Sequence, residues 1–181
     1  MWCVMKILID TNIIVTFLTR RDDPFSQETD KIFQLCAEGK FFGYVAMQTL
    51  PIVWYVLRKL PHQARRNKLK SICNLLKLAV TDMESIQQAL ANNSFTDFED
   101  NLQDCCAQSI GADYILTANV RDYDAHSVVK SITPSELLDI LNDSYTDSQW
   151  EIHEQHVEYN SNSCTIPFPP HLHILISSPA A

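Results

Sequence analysis

The chain has no run of apolar residues that approaches the length of about 20 needed to cross a bilayer. Residues 1–6 lack the basic segment followed by a long apolar segment that marks a secretory signal. The six cysteines include no CxxC pair, a spacing typical of zinc and thiol-redox sites. Buried free thiols in a reducing compartment explain these cysteines best, so we expect a cytoplasmic protein that does not bind membranes.

Lys and Arg are absent from residues 131–181, which hold 7 of the 22 acidic residues. Residues 1–130 hold all 14 Lys and Arg, so the net charge of −8 arises mainly from the C-terminal part. Half of the positive charge lies in one short stretch: Arg58, Lys59, Arg65, Arg66, Lys68, Lys70 and Lys77. This stretch is consistent with a polyanionic partner, and equally with an ordinary solvated helix face.

A short apolar run, residues 7–9, ends in a carboxylate, a hydroxyl and an amide, those of Asp10, Thr11 and Asn12. The run is typical of a buried strand in a parallel sheet. Ligands of open α/β sheets bind beyond the carboxyl ends of the strands, so these three residues are site candidates. Asp and Asn are also common helix-capping residues, and this stretch alone does not decide between the two roles.

Strands and helices alternate along residues 5–141, which indicates one α/β domain. Further strands are predicted over residues 41–47, 78–80, 114–117 and 128–129. Gly111 is placed to end a helix over residues 97–110, and residues 133–136 (TPSE) form a capping box that predicts a helix over residues 134–141. We expect a three-layer α/β/α fold with a parallel sheet of four to five strands. Residues 142–181 are predicted to be a weakly ordered extension.

Carboxylates recur at sequence-distant points of this domain. Asp97, Asp100 and Asp104 share one face of the predicted helix, and Asp122 follows the fourth predicted strand. Carboxylates that are brought together raise one another's pKa unless a cation neutralises them. Because Mg²⁺ and Mn²⁺ prefer oxygen ligands, the sequence predicts such an ion between Asp10, Asp100 and Asp122.

Three stretches together resemble the PIN domain, the metal-dependent ribonuclease fold of VapC-type toxins: residues 7–12 (ILIDTN), 97–103 (DFEDNLQ) and 111–123 (GADYILTANVRDY). Residues 133–138 (TPSELL) resemble the closing helix of that family. The resemblance covers residues 5–141. It implies an endoribonuclease that uses Mg²⁺ or Mn²⁺ to hydrolyse RNA and leaves a 5′-phosphate. It also implies a cognate antitoxin as a protein partner and a tendency to form homodimers.

Carried over by position, Asp10 resembles the first catalytic acid of the family and Asp100 the third. Asp122 is our choice for the fourth, and the resemblance implies that all three are metal ligands. The residues expected to support them are Thr11, Asn12, Asp97, Asp104 and Asn119. The basic stretch would then hold the RNA backbone through Arg58, Lys59, Arg65, Arg66, Lys68 and Lys70.

This chain departs from the family pattern at the second catalytic acid, because Ile52 occupies the position of that acid. Gln48, one turn earlier, supplies no charge. The loss of one carboxylate predicts weaker Mg²⁺ binding, and it leaves open a second interpretation, a PIN-fold module that binds RNA or a protein without cutting.

The extension offers two further hypotheses. Its acidic residues would compete with RNA for the basic stretch if they lay against it. Its other feature is a group of potential ligands, His153, His156, Cys164, His171 and His173, whose spacing follows no zinc pattern, so we do not expect a metal there.

Overall fold

The computed structural model describes residues 4–20, 24–123 and 126–152. Its strands are β1 Lys6–Ile9, β2 Phe42–Ala46, β3 Lys77–Ala79, β4 Tyr114–Leu116 and β5 Ser131–Ile132. Its helices are α1 Thr11–Thr19, α2 Ser26–Ala37, α3 Thr49–Val56, α4 His62–Leu75, α5 Met83–Ala91, α6 Phe98–Ile110 and α7 Pro134–Ile152. Short 3₁₀ turns cover Leu57–Lys59 and Val120–Asp122.

The five strands form one parallel sheet in the order β3-β2-β1-β4-β5, which confirms the predicted fold class. Strand β1 lies in the middle of the sheet. The next strand along the chain, β2, pairs with one edge of β1, and β4 pairs with its other edge. The carboxyl end of β1 is therefore the switch point at which α/β folds place their ligands.

Two apolar cores cover the two faces of the sheet. Because side chains alternate along a strand, Ile7 and Ile9 face one layer and Leu8 faces the other. The first layer is formed by α1, α2, α3, α4 and α7, and the second is dominated by α6. Continuing the alternation, Asp10 lies on the Leu8 side, beneath α6.

The last strand lies three residues beyond its predicted position: it is Ser131–Ile132, not residues 128–129. The backbone N–H groups of Val128 and Val129 instead donate to the Asp104 carboxylate, at 3.3 and 3.2 Å. They are thereby withdrawn from the sheet, and Ile115 N–H bonds the carbonyl of Lys130 to start the final strand pair.

The predicted C-terminal end of α6 and the predicted N-terminal end of α7 are present. Gly111 ends α6 in the left-handed region at φ 60°, and the Thr133 N–H donates to Glu136 Oε2 at 2.7 Å in the capping box of α7. Helix α7 then continues past residue 141 to Ile152. The remaining extension, with its histidines, Cys164 and most of its acidic residues, lies outside the described residues.

None of the described helices combines the length and the apolar character that crossing a membrane requires. Among the described cysteines, Cys36 and Cys106 are buried free thiols as expected, whereas Cys73 is exposed. The cytoplasmic location stays a prediction.

Candidate active site

Asp10 stands directly beyond β1 and is only 4% exposed. Its carboxylate accepts hydrogen bonds from Gln103 Nε2 at 3.2 Å, Asn12 Nδ2 at 2.7 Å and Thr117 Oγ1 at 2.7 Å. It forms no side-chain capping bond to the described helix α1, which it precedes. The geometry therefore favours the site role of Asp10 over the capping role.

Asn12, in the first turn of α1, and Thr117, directly after strand β4, fix the Asp10 carboxylate. Besides its bond to Asp10, Asn12 Nδ2 donates to Thr117 Oγ1 at 3.0 Å, and Asn12 Oδ1 accepts the N–H of Ala118 at 3.2 Å. The N–H of Asn119 also donates to Thr117 Oγ1, at 3.0 Å, while the Asn119 residue is exposed. Asn12 thus supports Asp10 directly, and Asn119 does so through its backbone.

Asp100 belongs to the first turn of α6 and is half-buried. Its Oδ1 accepts a hydrogen bond from the Tyr123 hydroxyl at 3.2 Å. Burial, followed by the charges of Asp10 and Asp100, raises the pKa of Tyr123, so its hydroxyl keeps the proton that it donates.

Glu99 is a site residue that sequence reasoning missed. Its Oε1 accepts a hydrogen bond from Thr11 Oγ1 at 2.8 Å, which places a further carboxylate next to β1. Thr11 Oγ1 also accepts from Gln103 Nε2 at 3.0 Å and lies 2.9 Å from Thr49 Oγ1. The one signal in the sequence was that Glu99 adjoins Asp100 within a stretch that resembles the PIN motif.

Asp122 ends the 3₁₀ turn that follows β4, and it is exposed. Its charge is among those that raise the pKa of Asp100, so the two carboxylates act on each other electrostatically.

The pKa values of Asp10 and Asp100 are both raised to about 6. For Asp10 the main cause is burial, and the charges of Asp100 and Glu99 add to it despite the Thr117 hydrogen bond. For Asp100 burial also comes first, followed by Asp97, with smaller contributions from Asp122 and Glu99. The charged neighbours that shift both groups are all carboxylates. The site therefore has an excess of negative charge that a cation would relieve.

The donor chemistry fits a hard divalent ion. Within the part of the chain that the structure describes, no three His, Cys, Asp or Glu side chains stand close enough to ligate one metal directly. Mg²⁺, however, keeps several waters and often uses only one or two carboxylates. The fully buried Gln103 has an Oε1 atom without a hydrogen-bond partner among the described residues, an acceptor that bound water would satisfy.

Two of the predicted supporting acids have structural roles. Asp97 caps α6 by accepting the N–H of Glu99 at 2.7 Å, although its charge also acts on Asp100. Asp104 is buried, and it holds the loop before β5 through Ser127 Oγ, Val128 N–H and Val129 N–H. The structure thus directs Asp104 to this loop and not to the carboxylates around Asp10.

The side chains of the basic stretch differ in exposure. Arg65 is 8% exposed, stacks at 3.7 Å over the Trp54 ring and donates to the Trp54 carbonyl at 2.6 Å. Lys68 donates to the Leu18 carbonyl at 2.7 Å. Arg65 is buried and packs the helices together, which corrects the RNA role predicted for it, whereas Lys68 is only half-buried and its RNA role stays a prediction. Arg58, Lys59, Arg66 and Lys70 are exposed and keep that prediction.

The position of the expected second acid is apolar and half-buried, at Ile52 on α3. The side-chain amide of Gln48 lies about 3.9 Å from Cys106 Sγ on α6, and Gln48 adds no charge to the site.

Comparison with known proteins identifies the family of this chain and a relative with a named activity. A family model described as PIN domain matches residues 6–121. Ribonuclease VapC1 of Aquifex aeolicus (strain VF5) is 26% identical over an alignment of 116 residues, and the match covers 62% of this chain and 80% of that protein.

Solved structures share the fold at low identity. One is VapBC2 from Rickettsia felis bound to a promoter DNA fragment, with a TM-score of 0.56, 14% identity and coverage of 71% of this chain and 98% of that one. Another is DNA-bound VapBC from Salmonella typhimurium, with a TM-score of 0.54, 18% identity and coverage of 72% and 99%.

Proposed function

The chain belongs to the PIN domain family, and we propose that it is an endoribonuclease that depends on Mg²⁺ or Mn²⁺. One observation carries the proposal: the Asp10 and Asp100 carboxylates, with Glu99 beside them, lie at the switch point of the sheet, where burial first and neighbouring carboxylates second raise the pKa of both aspartates to about 6. The similarity to a ribonuclease of the VapC type supports the choice of RNA as the substrate.

Asp10 and Asp100 would hold the ion, and Asp122 would approach it from the end of β4. A bound Mg²⁺ or Mn²⁺ would lower the pKa of a water and offset the charge that develops on the phosphate. The hydrogen bonds from Gln103, Asn12 and Thr117 keep Asp10 in one orientation, and Tyr123 does the same for Asp100. Hydrolysis of the phosphodiester would leave a 5′-phosphate.

RNA would reach this site along the exposed part of the basic stretch, Arg58, Lys59, Arg66 and Lys70. Contacts of this kind recognise phosphate and not base sequence, so binding would weaken steeply with salt.

RNA cleavage by the full chain tests the function. The native protein should cut RNA in Mg²⁺ or Mn²⁺, and chelation by EDTA should stop it. Asp10→Asn and Asp100→Asn should abolish cleavage, whereas Asp30→Asn, an exposed substitution on α2, should leave it unchanged. Equal cleavage by all four proteins would reject the assignment.

A second candidate function is a PIN-fold module that binds RNA or a protein without cutting. The observation in its favour is Ile52, an apolar side chain at the position of an acid. Calorimetry with Mn²⁺ discriminates the two: absence of binding at millimolar metal would favour this alternative.

We further propose a protein partner that covers the site, as an antitoxin would, because the solved relatives are VapBC assemblies. The corresponding test is growth arrest when this chain is expressed alone, and its relief by the product of an adjacent reading frame. Homodimer formation is a separate prediction, which sedimentation of the purified chain would test.

A further inference from the structure

The proposed metal site lacks an acid on the side of α3. This helix does contribute to the site, because Thr49 Oγ1 lies 2.9 Å from Thr11 Oγ1. Ile52, one turn later, shares the face of Thr49 but is apolar. Moreover, residues 39–81 contain no Asp or Glu at all. Neither α3 nor the segments between β2 and β3 can therefore supply the carboxylate.

Glu99 reaches the α3 side of the site from another element. The Thr11 hydroxyl donates its one hydrogen to Glu99 Oε1, at 2.8 Å. Thr49 must therefore be the donor in its contact with Thr11. A directed chain of hydrogen bonds runs from Thr49 through Thr11 to the Glu99 carboxylate, so the acceptor at its end lies beside the contact between the first turns of α1 and α3.

The local structure of α6 holds Glu99 in this position. Asp97 accepts the Glu99 N–H at 2.7 Å, which fixes the backbone of the first turn. Glu99 and Asp100 project about 100° apart around the helix. Their carboxylates nevertheless both contact residues of the site, since Glu99 accepts from Thr11, which follows Asp10 in the chain, and Asp100 accepts from Tyr123.

Gln103 gives an independent indication of a bound species at this point. Its Nε2 contacts Asp10, Thr11 and Thr49, so its amide lies at the centre of the same network. Its Oε1 is buried and has no hydrogen-bond partner within the described residues. An acceptor oxygen of this kind is normally satisfied by water or by an ion with its water shell.

We propose that Glu99 replaces the acid that α3 lacks, so that the cation is held by carboxylates of β1 and of the first turn of α6. This inference rests on the proposed function, because it concerns the same metal site. It assigns to Glu99 a role as a metal-binding residue, with its Thr11 hydrogen bond as the positioning contact.

Calorimetric titration of the full chain with Mn²⁺ alone tests the inference. Glu99→Gln keeps an oxygen that accepts from Thr11 and removes only the charge. Its matched control is Glu84→Gln, because Glu84 also stands two residues after a capping aspartate, in the first turn of α5, and is exposed. Asp10→Asn reports on the site itself, and unfolding curves check that each variant is folded.

We expect Glu99→Gln to weaken Mn²⁺ binding by about 10-fold or more, by comparison with the 10–100-fold losses measured at supporting residues of metal sites. Glu84→Gln should bind as the native protein does. Addition of Ile52→Glu to Glu99→Gln should recover part of the loss, since the charge then returns on α3.

The outcomes separate this inference from the proposed function. Native affinity in Glu99→Gln, together with lost binding in Asp10→Asn, would overturn the role of Glu99 and retain the site. A folded Glu99→Gln/Ile52→Glu protein with no gain over Glu99→Gln would overturn the replacement. Absence of Mn²⁺ binding in the native chain would overturn both proposals.

Discussion

Replacement of Asp10 by Asn should stabilise the metal-free protein at neutral pH, although it should destroy activity. Burial, with the charges of Asp100 and Glu99, raises the pKa of Asp10 from 3.8 to about 6. Between these values the folded state binds a proton that the unfolded state releases. The free energy of unfolding therefore falls as the pH rises through this window, and the loss persists above it. About two pKa units correspond to about 3 kcal/mol at pH 7.

Changes in the hydrogen bonds around position 10 oppose this gain in the free energy of unfolding. An Asn at position 10 keeps an oxygen for Asn12 and Thr117, but it turns an NH₂ group toward Gln103 Nε2. Gln103 can rotate its amide and offer Oε1, which has no other partner among the described residues. It then gives up its donor contact to Thr11, a loss of about 1 kcal/mol. The net gain is about 2 kcal/mol, or roughly 4–8 °C for a domain of this size.

Urea or thermal unfolding in EDTA at pH 4 and pH 7 measures the effect, with Asp30→Asn as the surface control. The stability of Asp10→Asn should exceed that of the native chain at pH 7, and the two should converge toward pH 4. Millimolar Mn²⁺ should then restore stability to the native chain alone, because only it binds the ion. An Asp10→Asn protein that is less stable than the native one at pH 7, or a difference independent of pH, would refute this reasoning.

Four other substitutions test separate parts of the structure. Asp104→Asn should lower the free energy of unfolding in urea by about 1–3 kcal/mol, because it places an NH₂ group against donors of the loop before β5; an unchanged midpoint would contradict the assignment. Thr133→Ala removes the capping box of α7 and should cost about 1 kcal/mol in the same assay, a value near zero being the contrary result. Arg66→Ala should reduce the slope of log RNA affinity against log salt concentration by about 1. Arg65→Ala should chiefly destabilise the fold. Equal slopes for Arg66→Ala and the native chain would show that Arg66 does not contact RNA.

The sheet was predictable because its signals are local. Residues 7–9 are uniformly apolar and end in Asp10, and Gly111 and the Thr133 capping box mark helix ends by their chemistry. The last strand was misplaced because Val128 and Val129 have high strand propensity. Their N–H groups are nevertheless bound by Asp104, a partner about 25 residues away that no window of sequence contains.

The site was predictable in part. Helical spacing placed Asp97, Asp100 and Asp104 on one face of α6, but it contains no information about the length of a side chain or about its partners in other elements. Asp104 is turned toward the loop before β5, whereas Glu99, assigned no role, reaches Thr11 at 2.8 Å because its side chain is long enough. Arg65 failed for the opposite reason: its charge suggested a surface role, but its planar guanidinium stacks on Trp54 and is buried.

The contrast between two buried aspartates supports the role proposed for Asp10 in the candidate active site. Asp104 and Asp10 are 2% and 4% exposed, and both accept several hydrogen bonds. Two of the donors to Asp104 are backbone N–H groups of a loop that it holds in place, a sufficient structural reason for burying a charge. Asp10 accepts mainly from side chains, those of Gln103, Asn12 and Thr117, and it lies beside Glu99 and Asp100, which oppose its ionisation. A capping or packing role gains nothing from such neighbours, whereas a cation site requires them.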